Sequence, residues 1–141
     1  MSPKKYQVYT LTELRVLAEE RDCELIEAQP DELLLDIDAP MSLSDFRIMR
    51  ADALQILQEK FGYPHFESWA SRNGGLHVRI LLPMRIPTGL AIALQASLGS
   101  DPRREILACW EHFALCEASL HEDPIPDIED TRSLFKPKGT S

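Results

Sequence analysis

The pattern of apolar and polar positions predicts a chain of alternating helices and strands. Thr10 and Glu13 have the spacing of a capping box, in which each side chain accepts from the other residue's backbone N–H. Apolar positions at helical spacing follow them and predict a helix that extends to about residue 21. Two short apolar runs at 23–28 and 33–38 come next and predict two strands.

A long amphipathic segment follows the second of these strands. Ser42 or Ser44 can cap a helix through Phe61, and Gly62 is the residue type that typically ends one. Two strands at 66–71 and 76–82 are then predicted. The stretch Arg72-Asn73-Gly74-Gly75 joins them, and an Asn-Gly pair between apolar runs is the strongest short-range signal for a hairpin.

Two more helices complete the predicted order. Pro87 and Gly99 delimit a helix at 86–98, and Asp101-Pro102 has the residue types of an N-cap and first helical position for a helix to about 117. After residue 121 the proline-containing tail favours loop, with a short terminal strand at 134–135.

This order indicates an α+β fold. The central β-α-β-β-α succession matches a split β-α-β unit of the ferredoxin-like kind, with an antiparallel or mixed sheet, helices on one face and the other face open. The 141 residues suit a single domain, 1–141. Within it we distinguish an N-terminal helix and strand (1–30), a core (31–118) and an acidic, proline-containing tail (119–141).

Composition narrows the classes of function. The net charge of −8 argues against a protein that coats nucleic acid. It still allows an enzyme that contacts nucleic acid through a local basic patch. No apolar stretch is long enough to cross a membrane, and no secretory leader follows Lys4 and Lys5. The three cysteines lack metal-ligand spacing. We therefore expect a cytoplasmic protein without a membrane partner.

The candidate chemistry lies on two of the predicted strands. Alternate side chains of a strand share a face, so Asp36 and Asp38 project together, away from the apolar positions of the same strand. His77 and Arg79 share the corresponding face of the strand at 76–82. Two carboxylates, a histidine, an arginine and a glycine turn suit metal-dependent phosphoryl transfer, in which acids hold Mg²⁺ or Mn²⁺ and cations bind phosphate oxygens.

Each of these residues also has a structural interpretation. An Asp-x-Asp at a strand end is common as a solvated edge or a turn cap, and a single histidine is often structural. Asn73-Gly74-Gly75 is explained as a hairpin turn, and Asp101 as a helix N-cap. The agreement of order and face among the residues favours a site.

Three segments resemble motifs of the archaeo-eukaryotic primase superfamily. Asp36-Ile37-Asp38 resembles its first motif, and Gly75-Leu76-His77-Val78 its second, within a Ser-x-x-Gly-x-x-His pattern that begins at Ser71. The resemblance spans residues 33–82 and implies an RRM-like sheet. It also implies that Asp36 and Asp38 bind catalytic metals and that His77 contacts the phosphates of an incoming nucleotide.

The third motif of that family supplies another metal-binding aspartate. Asp101 is the best candidate, and Asp127 and Asp130 are alternatives. The nucleotide- or phosphate-binding set that we expect comprises Ser71, Arg72, Asn73, Gly75, His77 and Arg79. A compact chain of this kind would suit phage or plasmid replication, in the host cytoplasm.

The sequence therefore predicts a primase–polymerase-type nucleotidyltransferase that uses Mg²⁺ or Mn²⁺, nucleoside triphosphates and a nucleic acid template. Two alternatives stay open. In the first, the chain is a catalytically degenerate RRM-like module that binds a replication partner, nucleic acid or its own copy. In the second, it is a metal-dependent phosphodiesterase that uses the same acids.

Overall fold

The computed structural model describes residues 10–121 and 132–139. Its helices are α1 (Leu11–Glu20), α2 (Leu43–Met49), α3 (Ala51–Phe61), α4 (Thr88–Ser97) and α5 (Pro102–Leu120). Its strands are β1 (Cys23–Ile26), β2 (Glu32–Ile37), β3 (His65–Ala70), β4 (Leu76–Leu81) and β5 (Leu134–Pro137). These elements form an α+β fold, as the sequence predicts.

Two antiparallel sheets organise the strands. The larger has the order β2-β4-β3, so β4 is its central strand. Asp36 of β2 and Trp69 of β3 are the cross-strand neighbours of His77 of β4. The smaller sheet pairs β1 with β5. The predicted strand at 134–135 is thus confirmed, and its partner is the short strand near the N-terminus.

One face of the larger sheet packs against α2 and α3. Leu33, Leu35 and Ile37 are buried there, as the alternation of β2 predicts, together with Val78 and Ile80 of β4. α2 and α3 contribute three buried side chains to this core, Phe46, Leu54 and Leu57, and α4 contributes Ala91. The hydrophobic effect of this layer fixes which face of β2 and β4 turns away from the helices.

The opposite face is partly covered, which corrects the expectation of an open face. Leu34 of β2 and Trp69 of β3 are buried there in a second apolar cluster with Ile26 of β1 and Leu134 of β5. An apolar side chain on that face gains free energy when the smaller sheet removes it from water. The smaller sheet does not cover the end of this face that carries Asp36 and His77, and a cleft lies there.

The single helix predicted to extend from Ser42 or Ser44 through Phe61 is two helices that meet at Arg50. Ser42 is the N-cap, and its Oγ accepts from Asp45 N at 3.1 Å. Arg50 departs from helical geometry at φ −110° and ψ 22°. Backbone hydrogen bonds from Arg50 N to Phe46 O and from Leu54 N to Arg50 O continue across the junction. Neither glycine nor proline marks the break in the sequence.

The outer edge of β2 is hydrogen-bonded to α4 and to the segment that joins α4 to α5. Gln95 Oε1 accepts from Leu34 N at 3.0 Å, and Ser100 Oγ accepts from Asp36 N at 3.0 Å. Asp101 N donates to Asp36 O at 2.7 Å. These bonds satisfy an edge strand that would otherwise present free backbone groups, and they bring the start of α5 to Asp36.

Two further predictions, the end of α5 and the alternative third acids, concern the C-terminal part of the chain. α5 extends to Leu120, beyond the predicted end at about 117. Asp127 and Asp130, the alternative third acids, lie outside the described residues. Among the helices described, none is long and apolar enough to cross a membrane.

Candidate functional site

A cleft of about 880 Å³ lies where β2, the β3–β4 turn, the start of α5 and the β1–β5 sheet meet. It brings together residues from segments far apart in the chain. Its lining consists of Glu20, Arg21, Cys23, Asp36, Asp38, Ala70, Ser71, Arg72, Asn73, His77, Asp101, Arg103, Phe135 and Pro137. The predicted residues Asp36, Asp38, His77 and Asp101 all belong to it.

The centre of the cleft is the pair formed by Asp36 and His77. The register of β2 on β4 places them directly opposite each other, and His77 Nε2 lies 3.3 Å from Asp36 Oδ1. His77 Nδ1 lies 3.3 Å from the backbone oxygen of Phe135. Nδ1 is thus directed at a backbone carbonyl, and Nε2 is directed at the Asp36 carboxylate.

Trp69 fixes the orientation of the histidine ring. Its indole meets the His77 ring edge to face at a centroid distance of 5.8 Å, and its Nε1 donates to Phe135 O at 2.7 Å. The same carbonyl oxygen is therefore contacted by both the indole and the imidazole ring. The ring is thus held between a backbone carbonyl at Nδ1 and a carboxylate at Nε2.

The surroundings of Asp36 favour its charged form. Burial by itself would raise the pKa of this carboxyl, but the hydrogen bond and charge of His77, followed by the charges of Arg104 and Arg103, hold the pKa below its usual value. Asp36 is therefore an anion at neutral pH within the cleft.

The other two acids share one arginine. Asp38 is exposed, and its Oδ2 lies 3.3 Å from the Arg103 guanidinium. Asp101 caps α5, accepts from Arg103 N at 3.1 Å, and its Oδ1 lies 3.2 Å from Arg103 Nε. Asp101 is thus both a helix cap and a cleft residue. Arg103 thus contacts two of the three carboxylates that the sequence predicts as metal ligands, Asp38 and Asp101.

The residues present fit a metal ion in part. Within the described part of the chain, no three histidine, cysteine or acidic side chains converge closely enough to hold an ion by themselves. Asp36 and Asp38 still offer the hard oxygen ligands that Mg²⁺ and Mn²⁺ prefer. Mg²⁺ is often held by one or two carboxylates, with phosphate oxygens and waters as its other ligands. The cleft therefore suits a cation that arrives with a phosphate compound.

The β3–β4 turn forms one wall of the cleft. Ser71, Arg72 and Asn73, three of the predicted phosphate ligands, line the cleft. Ser71 Oγ accepts from Gly75 N at 2.8 Å, which ties the turn together. A Cβ at Gly75 would lie 2.4 Å from Ile37 O, so glycine lets the turn approach the end of β2. Gly75 therefore shapes the wall and is not itself part of the lining.

Arg79, the remaining predicted phosphate ligand, is not brought into the cleft. It lies two residues further along β4, where it forms ion pairs with buried Glu32 and with Glu67. Its hydrogen bond to Glu32, opposed by burial and helped by the charges of Glu32 and Glu67, raises its pKa. Lys136 of β5 also pairs with Glu67. The hydrogen bond with Lys136, outweighing burial, leads the causes that lower the pKa of Glu67.

Several cleft residues were not identified from the sequence. Arg103 follows a helix cap and has the pattern of an ordinary surface residue. Phe135 and Arg21 lie on the wall that the smaller sheet provides, with the Arg21 guanidinium 5.4 Å from the centre of the Phe135 ring. Only the pairing of β1 with β5 brings them to the cleft, and no local pattern encodes a pairing so distant in sequence.

Comparison with protein-family models, curated proteins and solved structures gives no significant match.

Proposed function

We propose that the cleft binds the phosphates of a nucleotide together with a divalent cation and serves nucleotidyl transfer of the primase–polymerase type. The observation that supports this is the grouping of Asp36, Asp38, His77 and Asp101, with the β3–β4 turn, in one cleft. Such a combination of carboxylates, imidazole and arginines suits phosphoryl transfer, where catalysis consists mainly of positioning and charge stabilisation.

In this proposal Asp36 and Asp38 hold the cation, Mg²⁺ or Mn²⁺. The bound cation supplies charge neutralisation at the phosphoryl oxygens. The lowered pKa of Asp36 keeps this ligand ionised in its partly buried position, which a cation-binding carboxylate requires. Asp38, which is exposed, is able to turn toward the same ion.

The basic residues of the cleft bind and orient the phosphates. His77 is held through Nδ1 by Phe135 O, so its Nε2 has a fixed direction beside Asp36. Arg72 lies on the turn wall, and Arg103 lies across the cleft from it at the start of α5. A guanidinium binds phosphate through two parallel N–H bonds, so exchange of Arg103 from Asp38 to a phosphate would release that acid for the cation.

One observation favours a second candidate, a degenerate module that binds nucleotide or a replication partner without catalysis. Arg103 contacts both Asp38 and Asp101 and so places a fixed positive charge beside two acids of the cleft. If this contact is permanent, the chain has replaced the cation by a side chain. The two candidates differ in whether the cation contributes to nucleotide binding.

Binding distinguishes them through thermal stability, since a ligand that binds only the folded state raises Tm by mass action. We expect Mn²⁺ and a nucleoside triphosphate together to raise Tm more than the sum of their separate effects. Asp36→Asn should abolish this synergy, and Glu59→Gln, an exposed change on α3, should retain it. A shift by nucleotide alone, unaffected by the cation, supports the degenerate module. No shift with either ligand contradicts nucleotide binding by the cleft and therefore the first candidate.

Activity is tested with a labelled primer on a DNA or RNA template. Extension that needs triphosphates and is lost in Asp36→Asn supports nucleotidyl transfer. Shortening of the strand without triphosphates, lost in the same variant, identifies the phosphodiesterase alternative. Neither product, in a protein that binds nucleotide, identifies a non-catalytic module.

A further inference from the structure

Arg103 bridges two acids of the cleft that belong to different segments of the chain. Its Nη2 lies 3.3 Å from Asp38 Oδ2 and 3.4 Å from Asp101 Oδ2, and its Nε lies 3.2 Å from Asp101 Oδ1. Asp38 follows β2, and Asp101 is the N-cap of α5. Carboxylates held near one another repel unless a positive charge lies with them, and Arg103 supplies that charge.

This bridge is open to solvent, so Arg103 is able to change partners. The side chains of Arg103 and Asp38 are 50% and 70% exposed, and that of Asp101 is 16% exposed. Ion pairs between exposed side chains contribute little free energy, because water and salt screen them. A ligand with strong hydrogen-bond acceptors therefore displaces such a contact easily.

The next residue, Arg104, shows how a permanent arginine contact differs in this fold. Its side chain is 10% exposed and pairs at 2.6 Å with Glu105, which is 3% exposed. It also donates to the backbone oxygens of Leu34 and Arg132 at 2.8 and 2.7 Å. Arg104 is thus part of the folded framework, whereas the half-exposed Arg103 faces the cleft.

A phosphate group competes with the two carboxylates for the Arg103 guanidinium. Guanidinium binds phosphate through two parallel N–H bonds, and it uses the same donors that here reach Asp38 and Asp101. While Arg103 remains on Asp38, its positive charge opposes a free divalent cation at the same carboxylate. Once a phosphate holds the guanidinium, Asp38 is released and the phosphate adds negative charge to the cleft.

We propose that Arg103 is a gate for the cation. It keeps the acids of the cleft from a free divalent cation and releases them when a phosphate compound occupies the cleft. This inference rests on the proposed function, because it concerns the same cleft, and it adds an order of binding. The cleft takes a divalent cation together with phosphates or after them, and not alone.

Binding of Mn²⁺ without nucleotide tests the gate, since free Mn²⁺ has a sharp electron paramagnetic resonance signal that is lost on binding. We expect a dissociation constant of about 1 mM or weaker for the wild type, and binding about fivefold tighter for Arg103→Gln at low salt. This variant keeps the backbone N–H that Asp101 accepts as helix cap.

Arg21→Gln is the charge-matched control. It also removes a guanidinium from the lining of the cleft, but this one lies 5.4 Å from the centre of the Phe135 ring. Arg21→Gln should change the dissociation constant for Mn²⁺ by less than about twofold. Circular dichroism melts check that both variants fold. An Arg103→Gln variant that binds free Mn²⁺ no more tightly than Arg21→Gln overturns the gate.

The gain in affinity should depend on the acid that Arg103 releases. In an Asp38→Asn background, Arg103→Gln should tighten Mn²⁺ binding by less than about twofold, because that carboxylate is gone. An equal gain with and without Asp38 would show that Arg103 acts only through its charge at a distance, which contradicts the gate.

Nucleotide separates this inference from the proposed function. In the wild type, Mn²⁺ and a nucleoside triphosphate together should raise Tm by more than the sum of their separate effects. Arg103→Gln should come close to the sum, because its acids are already available. Failure of the gate leaves the proposed function in place if the wild type shows the joint rise. A wild type without the joint rise contradicts the proposed function, and the titration without nucleotide still decides the role of Arg103.

Discussion

At the scale of single residues, Asp36 connects the fold with the candidate site. Its backbone N–H and carbonyl are held by Ser100 and Asp101, and its side chain faces His77. The carboxylate is partly buried, yet the positive groups around it favour the ionised form. The charge of Asp36 therefore contributes to the stability of the fold and also to the binding of any ligand in the cleft.

This charge predicts a pH dependence. A carboxyl whose pKa is lowered by folding stabilises the folded state above its ordinary pKa of about 4, and the contribution is lost as pH falls through the lowered value. We expect Asp36→Asn to melt below the wild type at about pH 5, with a difference that shrinks as pH falls below about 4 and through the lowered pKa of Asp36. Glu59→Gln serves as control, and its small difference should stay constant. A difference for Asp36→Asn that grows toward low pH would contradict the assignment.

Gly75 is the residue at which the turn depends on the absence of a side chain. A methyl group there would meet the Ile37 carbonyl, a backbone atom that has no freedom to move aside. We expect Gly75→Ala to lower the free energy of unfolding by about 2–3 kcal/mol in urea titrations.

Gly74 provides the comparison for this prediction. Its φ of 86° is left-handed, but no atom lies within 4 Å of an added Cβ. Gly74→Asn should cost less than about 1 kcal/mol, because asparagine tolerates this backbone region. Equal losses at the two positions would show that close approach to β2 is not the cause.

At the scale of elements, the outer edge of β2 is held by side chains. Gln95 is fully buried and connects three elements, since it accepts from Leu34 N and donates to Glu105. Arg104 adds a bond to Leu34 O at 2.8 Å. α4 and α5 are thereby fixed beside β2, which is how the cap of α5 reaches the cleft.

Replacing the glutamine tests this role. Gln95→Leu keeps the volume but leaves Leu34 N–H and Glu105 Oε1 without their partner, and should destabilise the fold by about 2–4 kcal/mol. Ser97→Ala on the same helix, which removes an exposed bond to Ala93 O, should cost less than about 0.5 kcal/mol. Denaturant titration with far-UV circular dichroism measures both. A loss for Gln95→Leu as small as that of Ser97→Ala would refute a stabilising network.

Local sequence signals predicted most of these elements. Capping residues located the starts of α1 and α5, and Asn-Gly located the β3–β4 turn, because these signals act within a few residues. The break at Arg50 has no such signal. The network around Gln95 was also not identified, since a buried glutamine in an apolar helix acquires its role only from the strand beside it.

At the scale of the whole molecule, the two sheets enclose one apolar cluster. Leu34 and Trp69 of the larger sheet pack with Ile26 and Leu134 of the smaller one. Phe135 O accepts a hydrogen bond from Trp69 Nε1 and lies 3.3 Å from His77 Nδ1. The strand near the C-terminus therefore stabilises the fold and also orients the histidine of the cleft.

This arrangement predicts that a substitution in β5 lowers the stability of the whole fold. Leu134→Ala leaves a cavity beside Trp69 and should cost about 2–4 kcal/mol. Val16→Ala on α1, an exposed position, should change stability by less than about 0.5 kcal/mol. Denaturant titration gives both values, and Leu134→Ala should in addition shift the tryptophan emission to longer wavelength. Unchanged stability in Leu134→Ala would mean that β5 is not part of the cooperative fold.

The sequence by itself determined the α+β class, the order of most elements and the faces of β2 and β4, because periodicity and capping are local. It also predicted that Asp36 and Asp38 share one face of their strand and that His77 lies on the corresponding face of β4, because alternation is local. The pairing of β2 with β4 that sets Asp36 opposite His77 joins strands distant in the chain. Only the tertiary structure decided that β5 covers that face, that Arg79 pairs with Glu32 and Glu67, and that Arg103 joins Asp38 to Asp101. These contacts join residues distant in the chain, and their free energy depends on packing that no local pattern specifies.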